Sequence, residues 1–241
     1  MKPFLSSSLV ALCLSVMLWA KPVTTTAITA DGGATPASSG GASPATTAGQ
    51  CRPGKTAPEH LGWRWRPGTT VKVYYLKDNF DEAESKALSL AVVNWNEALR
   101  EIDADVAFIV AGERAGVVND HASVTVMRGV PRVKERVGET RFYSLSNDTI
   151  RLTVTINPVV TDVKALTSLM THELGHSLGL GDCYRCRRGT TAMTAFKSKN
   201  KGNDVYAPSA CDKIAVASGY AGATDTQEAR AGRKLSQENA R

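Results

Sequence analysis

The stretch THELGHSLGLGD, residues Thr171 to Asp182, holds two of the four histidines in this 241-residue chain. His172 and His176 are four residues apart, and side chains at that spacing lie on one face of a helix, one turn apart. Their imidazole nitrogens can therefore reach one metal ion at the zinc–nitrogen distance of about 2.0 to 2.1 Å. Glu173 lies about 100° further round the helix, where its carboxylate can take a proton from a metal-bound water. The pattern predicts a helix that carries two metal ligands and a general base.

A catalytic zinc site needs a third protein ligand, which the residues after this helix have to supply. Gly179 permits a sharp backbone turn there, because glycine adopts left-handed conformations at little cost. Asp182 is the first residue after the turn with a ligating side chain, and we predict that its carboxylate completes the site. Cys183 is the alternative, because a thiolate also binds zinc. The motif arises by accident in few chains with so few histidines, so we favour a metal site over histidines that face water or fill the core.

The first 50 residues differ in composition from the rest of the chain. Residues 1–20 have a basic start and an apolar segment too short to span a bilayer comfortably, which is typical of a secretory signal peptide. Ala20, Ala27 and Ala30 are candidate cleavage sites, and a membrane anchor that stays attached is the alternative interpretation. Residues 21–50 consist mainly of Thr, Ala, Ser, Gly and Pro, which predicts a flexible linker or a short pro-region.

One domain is predicted for residues 51–220, where aromatic residues and apolar periodicity begin. Residues 221–241 are polar and charged, which predicts a C-terminal tail. The net charge of +6 comes largely from short basic runs, and no nucleic-acid-binding motif accompanies them. We therefore expect a secreted monomer with no nucleic-acid partner and no stable membrane insertion after signal cleavage.

Four cysteines lie in the predicted domain, at Cys51, Cys183, Cys186 and Cys211. An even number in an exported chain predicts two disulfides, for which three pairings are possible. Cys183 and Cys186 form a CxxC sequence, which would also suit half of a zinc knuckle or a redox pair. No second CxxC is present, and no thioredoxin-like βαβ pattern surrounds this one, so we favour disulfides.

Apolar periodicity predicts the element order strand, helix, four strands, helix. Alternating or β-branched residues predict strands at 70–75, 106–110, 123–127, 140–145 and 150–156, the last two forming a hairpin around 146–148. Apolar residues three and four apart predict a helix over 81–99. A second helix begins at Thr161 or Asp162, carries both histidines and stops before Gly179. This order is typical of a mixed α/β domain with one sheet and helices packed on it.

The motif His172-Glu173-x-x-His176-x-x-Gly179-x-x-Asp182 resembles that of the metzincin clan of zinc endopeptidases. Within the clan it is most similar to the matrixin-like branch and to the small secreted bacterial proteases of the snapalysin type, which have an aspartate as third ligand. The resemblance covers roughly residues 60–200. Residues 63–75 resemble the first strand of the family, 94–99 resemble the end of its first helix, and Ala192-Met193-Thr194 lies where the family has a methionine turn beneath the histidines.

The resemblance implies a metzincin-like catalytic domain of the α/β (α+β) class, with a twisted mixed sheet of about five strands, a backing helix and an active-site helix. It implies one catalytic Zn²⁺ held by His172, His176 and Asp182. Glu173 would then be the catalytic residue, acting as general base and later as general acid. A protein or peptide substrate would lie extended along the edge strand at 140–145.

Two features near the motif refine this expectation. In some relatives a tyrosine two residues after the methionine binds the metal, but here that position is Ala195, so we expect no such ligand. Arg185, Arg187 and Arg188 closely follow the ligands, which predicts an attraction for acidic residues of the substrate.

The function predicted from the sequence is that of a secreted zinc metalloendopeptidase, which hydrolyses peptide bonds through a metal-activated water. A non-catalytic binding or adhesion protein on the same scaffold is the alternative, although it would have no need of the carboxylate of Glu173. A zinc hydrolase that acts on other bonds is a further alternative, because a fold does not fix a substrate.

Overall fold

The computed structural model describes residues 50–146, 149–195 and 204–221. Within them the chain forms β1 (Thr69–Leu76), α1 (Glu82–Glu101), β2 (Val106–Arg114), β3 (Ser123–Arg128), β4 (Gly138–Ser146), β5 (Thr149–Ile156), α2 (Val163–Ser177) and α3 (Ala210–Ala221). The predicted signal peptide, linker and C-terminal tail lie outside the described residues, except for Gln50 and Ala221. So do residues 147 and 148 of the predicted hairpin turn. None of the described helices is long and apolar enough to cross a membrane.

The strands form one mixed sheet in the order β2-β1-β3-β5-β4. β1 pairs in parallel with β2 and β3, β3 pairs in parallel with β5, and β4 pairs antiparallel to β5. This architecture confirms the predicted α/β class, with a five-stranded mixed sheet and helices. It also places β4 at the edge of the sheet, and no other described strand pairs with its outer side.

The core is built by the sheet together with α1 and α2. Alternate strand residues point into it, because successive side chains of a strand face opposite sides of a sheet. The fully buried ones include Val71, Val73, Val124, Val126, Val154 and Ile156. Trp95 of α1 donates its indole N–H to the carbonyl oxygen of Thr171 in α2 at 2.7 Å, and Thr167 Oγ1 of α2 donates to Ala87 O of α1 at 3.2 Å. These contacts fix α1 against the helix that carries the two histidines.

The first two helices begin where the sequence predicts. Asp81 caps α1 in a capping box, in which its side chain accepts from Glu84 N at 2.8 Å and the Glu84 side chain accepts from Asp81 N at 3.2 Å. Asp162 caps α2 by accepting from Ala165 N at 2.7 Å. β2 is longer than predicted, because a bulge with Gly112 at a φ of 87° lets its pairing with β1 continue beyond the predicted end.

The predicted order of elements is incomplete, because α3 follows the last predicted helix. Its start is a capping box, in which Ser209 N donates to Asp212 Oδ2 at 2.8 Å and Asp212 N donates to Ser209 Oγ at 3.2 Å. Ala215 and Val216 are its buried apolar residues, a stripe too narrow to stand out as helical periodicity. The Ser-x-x-Asp pattern is the signal in the sequence that marks this helix.

Two disulfides form among the described residues, as the even number of cysteines predicts. Cys51 pairs with Cys211 across a sequence separation of 160, and Cys183 pairs with Cys186. The first bond ties the start of the domain to α3, and the second closes a short loop directly after Asp182. Because Cys183 is oxidised in this structure, it offers no thiolate to a zinc ion. Neither the zinc-knuckle alternative nor a Cys183 ligand is therefore observed.

Removing the long-range disulfide through the paired substitutions Cys51→Ser and Cys211→Ser is expected to lower the free energy of unfolding by about 2 to 5 kcal/mol. The reason is that a disulfide restricts the unfolded chain more strongly when it closes a longer loop. Urea denaturation followed by tryptophan fluorescence measures the change. The matched control is the pair Cys183→Ser and Cys186→Ser, whose sequence separation is 3 and whose removal should cost less. Equal losses for the two pairs would contradict this account.

Candidate metal centre

Three side chains that can bind a metal converge at the C-terminal end of α2. The ligand atoms of His172, His176 and Asp182 all lie within 4.8 Å of one another. Asp182 Oδ1 is 3.1 Å from His172 Nε2 and 3.6 Å from His176 Nε2. Two ligands of a tetrahedral zinc ion, each at about 2.0 to 2.1 Å, are about 3.3 Å apart, so both distances to Asp182 are compatible with such an ion. The structure thus brings together the three residues that the sequence predicts as ligands.

Backbone carbonyl groups orient both imidazoles. His172 Nδ1 lies 2.9 Å from the carbonyl oxygen of Ala192, and His176 Nδ1 lies 2.8 Å from that of Leu180. A carbonyl oxygen can only accept, so Nδ1 of each ring carries a hydrogen and the lone pair of the neutral ring is on Nε2. Such a bond fixes the ring of a metal-binding histidine and strengthens its other nitrogen as a ligand. Both Nε2 atoms face Asp182.

A turn that depends on glycine brings Asp182 back toward the two histidines. α2 ends in a Schellman motif, in which Leu180 N donates to Gly175 O at 3.1 Å and Gly179 N donates to His176 O at 3.0 Å. Gly179 has a φ of 89°, a left-handed conformation that costs glycine little. The turn predicted from the sequence is therefore present, and it places Asp182 beside the rings three residues later.

The residues before β1 hold this turn from outside. Leu61 N donates to the carbonyl oxygen of Gly179 at 2.7 Å, and Gly181 N donates to that of Glu59 at 2.8 Å. A Cβ added to Gly179 would overlap the carbonyl oxygen of Trp63, so a larger residue does not fit. The path of the chain to the third ligand is thus set by a distant segment as well as by the glycine.

A tight turn around Met193 packs against α2. Met193 is fully buried, and a Cβ added to Gly175 would overlap its Sδ atom, so the sulfur lies directly against the backbone of α2. Ala192, in the same turn, supplies the carbonyl group that orients His172. Asp212 of α3 holds the turn, because its buried Oδ2 accepts from Ala192 N at 2.8 Å. The turn lies at the residues where the resemblance places it.

Glu173 is buried beside the three ligand residues. It is 3 % exposed, and its Oε2 accepts a hydrogen bond from Thr140 Oγ1 of β4 at 2.5 Å. Gly138, also on β4, faces the other carboxylate oxygen, and a Cβ added there would overlap Glu173 Oε1. The edge strand therefore sets the position of the carboxylate that the sequence predicts as the general base.

A cleft lies between β4 and the ligand residues. Its described lining consists of Arg136, Val137, Gly138, Glu139, Thr140, Phe142, His172, Glu173, His176, Asp182, Tyr184 and Ala195. Its volume of about 180 Å³ is below the roughly 300 to 1,000 Å³ of pockets that enclose small molecules. The cleft is therefore too small to enclose a drug-sized molecule.

Four residues that shape the site are not marked as functional by any pattern in the sequence. Thr140 and Gly138 position Glu173, and Asp212 holds the Met193 turn. Tyr184, the fourth, lines the cleft and donates its hydroxyl to Asp182 Oδ2 at 3.0 Å. The charge of Asp182 raises the pKa of this tyrosine, and the charge of Arg136 acts in the opposite direction. In the sequence, the one indication of a role for Tyr184 at the site is its position two residues after Asp182.

Burial and charge shift the pKa values of the ligand residues. Burial would raise the pKa of Asp182, but the hydrogen bond with His172 and the charges of both imidazoles hold it well below its usual range. Burial would lower the pKa of His172, but the hydrogen bond with Asp182 and the charges of Glu173 and Asp182 raise it above its ordinary value. Burial and the charge of His172 lower the pKa of His176. The site therefore favours a positive charge between Asp182 and the rings, which a proton supplies in the metal-free site and a metal ion can supply in its place.

No protein-family model matches this sequence, and none of the curated proteins matches it significantly. Among solved structures, myroilysin is similar with a TM-score of 0.36 and 15% sequence identity, over 65% of this chain and 95% of that chain. Metalloproteinase-II from Bacteroides fragilis is similar with a TM-score of 0.39 and 13% identity, over 70% of this chain and 58% of that chain. Likenesses at this level do not assign a function, which has to come from the geometry of the site.

Replacing Asp182 with alanine is expected to weaken zinc binding on the order of 100-fold or more, because the site loses one of its three protein ligands. Competition with a chromophoric chelator measures the affinity. Tyr184→Phe is the matched control, since it removes only the hydroxyl that bonds to Asp182 and should cause a smaller loss. An unchanged affinity in Asp182→Ala would contradict the assignment of this ligand.

Zinc binding is expected to weaken as the pH falls, because a proton on either imidazole occupies the Nε2 lone pair. The raised pKa of His172 means that this proton competes at a pH above the ordinary 6.5 of imidazole. Asp182→Asn removes a negative charge that raises this pKa, so His172 should titrate at a lower pH in the variant. NMR titration of the imidazole resonances in chelator-treated protein measures the pKa of His172 in the natural sequence and in the variant. Equal pKa values in the two proteins would show that the charge of Asp182 does not raise the pKa of His172.

Proposed function

We propose that this protein is a secreted zinc-dependent endopeptidase of the metzincin type, which hydrolyses protein or peptide substrates. His172, His176 and Asp182 would hold one Zn²⁺, because their ligand atoms converge and both imidazoles present Nε2. When bound, the ion would polarise the scissile carbonyl group. It would also lower the pKa of a bound water, so that hydroxide is available for attack at neutral pH.

The observation that carries this proposal is the position of Glu173. Its carboxylate is buried beside the three ligand residues and is held from the edge strand by Thr140. Burying a carboxylate costs free energy, and a site that only held a metal would have no need of it. A binding or adhesion protein on this scaffold does not account for this residue.

Glu173 is placed to act first as general base and then as general acid. The hydrogen bond from Thr140 to Oε2 orients the carboxylate, and Gly138 leaves room for Oε1 beside the strand. In this role the carboxylate accepts a proton from the attacking water and later donates it to the leaving amine. Tyr184, through its bond to Asp182 Oδ2, would keep the third ligand turned toward the rings.

Strand β4 would bind the substrate. No described strand pairs with its outer side, so an extended peptide can add there as a further strand by β-augmentation. Phe142 of β4 is 44% exposed and packs edge-on against Trp63 with ring centroids 4.6 Å apart. This pair offers an apolar contact to a substrate side chain at the rim of the cleft.

Secretion is also part of the proposal. Residues 1–20 have the composition of a signal peptide, and the two disulfides suit an oxidising compartment. The catalytic domain would be residues 51–220, between a linker or short pro-region at 21–50 and a tail at 221–241, and it would act as a monomer.

The Glu173→Ala substitution is expected to lower the kcat of casein or peptide hydrolysis by on the order of 10² to 10⁴, because proton transfer is lost. Zinc content measured by mass spectrometry should be unchanged, since Glu173 is not a ligand. Glu139→Gln is the matched control, because Glu139 also lines the cleft but is paired with Arg141 at 2.8 Å. Its effect on kcat should be far smaller.

Other results of this experiment would contradict the proposed mechanism or favour a different function. Undiminished digestion by Glu173→Ala would contradict the role of Glu173 as general base and acid. Zinc binding by the natural sequence without digestion of any protein or peptide would favour the binding or adhesion protein. Hydrolysis confined to other classes of ester or amide would favour a zinc hydrolase with a different substrate.

A further inference from the structure

Arg136 lines the cleft from the loop that leads into β4. The backbone N–H of Arg136 donates to the carbonyl oxygen of Val133 at 2.9 Å, and its backbone carbonyl oxygen accepts from Asn157 Nδ2 at 3.4 Å. The carbonyl oxygen of Val137 accepts from Asn157 N at 2.8 Å. These bonds hold the backbone on both sides of Arg136, so its side chain leaves the loop at a fixed point of the cleft wall.

The charge of Arg136 has no carboxylate partner among the described residues. Among the other described arginines, Arg128, Arg141 and Arg188 each form an ion pair with a carboxylate. Arg136 is exposed, and it is the single lysine or arginine in the described cleft lining. An exposed arginine is ordinary on a protein surface, so its significance comes from its place in this cleft.

The carboxylates of the cleft already have other partners. Glu139 accepts from Arg141 Nη2 at 2.8 Å, so its charge is balanced. Glu173 and Asp182 are held inside the candidate catalytic centre by their own contacts. A carboxylate brought in by a substrate would therefore meet Arg136 without an internal competitor.

Arg136 precedes β4 by two residues, so its backbone lies close to the candidate reacting groups. Gly138, the first residue of β4, faces the carboxylate of Glu173, and two residues of chain span at most about 7 Å. A substrate strand beside β4 has the same rise per residue. Arg136 would therefore lie beside substrate residues a few positions from the scissile bond.

We propose that Arg136 is a specificity-determining residue that binds an acidic side chain of the substrate within about three residues of the scissile bond. This inference rests on the proposed endopeptidase function. A guanidinium holds a carboxylate through two parallel N–H···O bonds, a geometry that an amide or a lysine does not reproduce. Arg185, Arg187 and Arg188, for which the sequence predicts a similar attraction, lie outside the described cleft lining, and Arg188 pairs with Asp204 at 2.8 Å.

The test uses zinc-loaded full-length protein and fluorogenic peptides of one sequence, with Glu, Gln or Lys placed in turn at each of three positions on either side of the scissile bond. At one position we expect kcat/KM to be about five-fold higher for Glu than for Gln. Arg136→Ala should abolish this ratio, and Arg136→Glu should reverse it in favour of Lys. Lys134→Ala is the matched control, because Lys134 is an exposed neighbour outside the described cleft lining and its removal should keep the ratio.

A binding measurement separates recognition from turnover. Fluorescence polarisation of the same peptides with the zinc-loaded Glu173→Ala protein should show the same preference for Glu, and the preference should shrink in 1 M salt, where the Debye length is about 3 Å. Equal rates and affinities for Glu and Gln peptides, or a preference that survives Arg136→Ala, would overturn the inference and leave the endopeptidase function intact. Failure of the natural sequence to cleave any peptide would instead overturn the proposed function, and the role of Arg136 with it.

Discussion

Two carbonyl oxygens, those of Ala192 and Leu180, decide which way the two histidines face. Each accepts the Nδ1 hydrogen of one imidazole, so the opposite nitrogen of each ring is turned toward Asp182. A buried imidazole N–H without an acceptor would cost free energy, so each ring is fixed by its need for a hydrogen bond. The geometry of the candidate metal centre follows from these two bonds.

The segments that carry the two carbonyl groups are themselves held by distant parts of the chain. The turn after α2 depends on the left-handed Gly179 and on backbone pairing with residues 59–61. The Met193 turn depends on close contact with Gly175 and on the buried carboxylate of Asp212. α3, which carries Asp212, is tied to the start of the domain by a disulfide. The stability of both ends of the domain therefore contributes to the precision of the centre.

The parts of the fold that could be predicted are those with strong local signals. The two long helices show apolar periodicity and acidic caps at Asp81 and Asp162, and the strands show alternation. α3 lacks such a signal, because its buried stripe is narrow and its place depends on contacts made across the chain. Thr140 and Tyr184 escaped prediction for a related reason. Their roles come from the residues that they contact. Thr140 contacts Glu173 on α2, and Tyr184 contacts one oxygen of Asp182.

By itself, the sequence determined the relations within one helix and its cap: two histidines on one face, a carboxylate beside the first, and a glycine that ends the helix. The tertiary structure decided that Asp182 rather than Cys183 faces the rings, how the four cysteines pair, and that Arg136 rather than the arginines after the ligands lines the cleft. The physical reason is that helical periodicity fixes directions only over a few neighbouring residues. Contacts between segments far apart in sequence are chosen by packing, and packing depends on the whole domain at once.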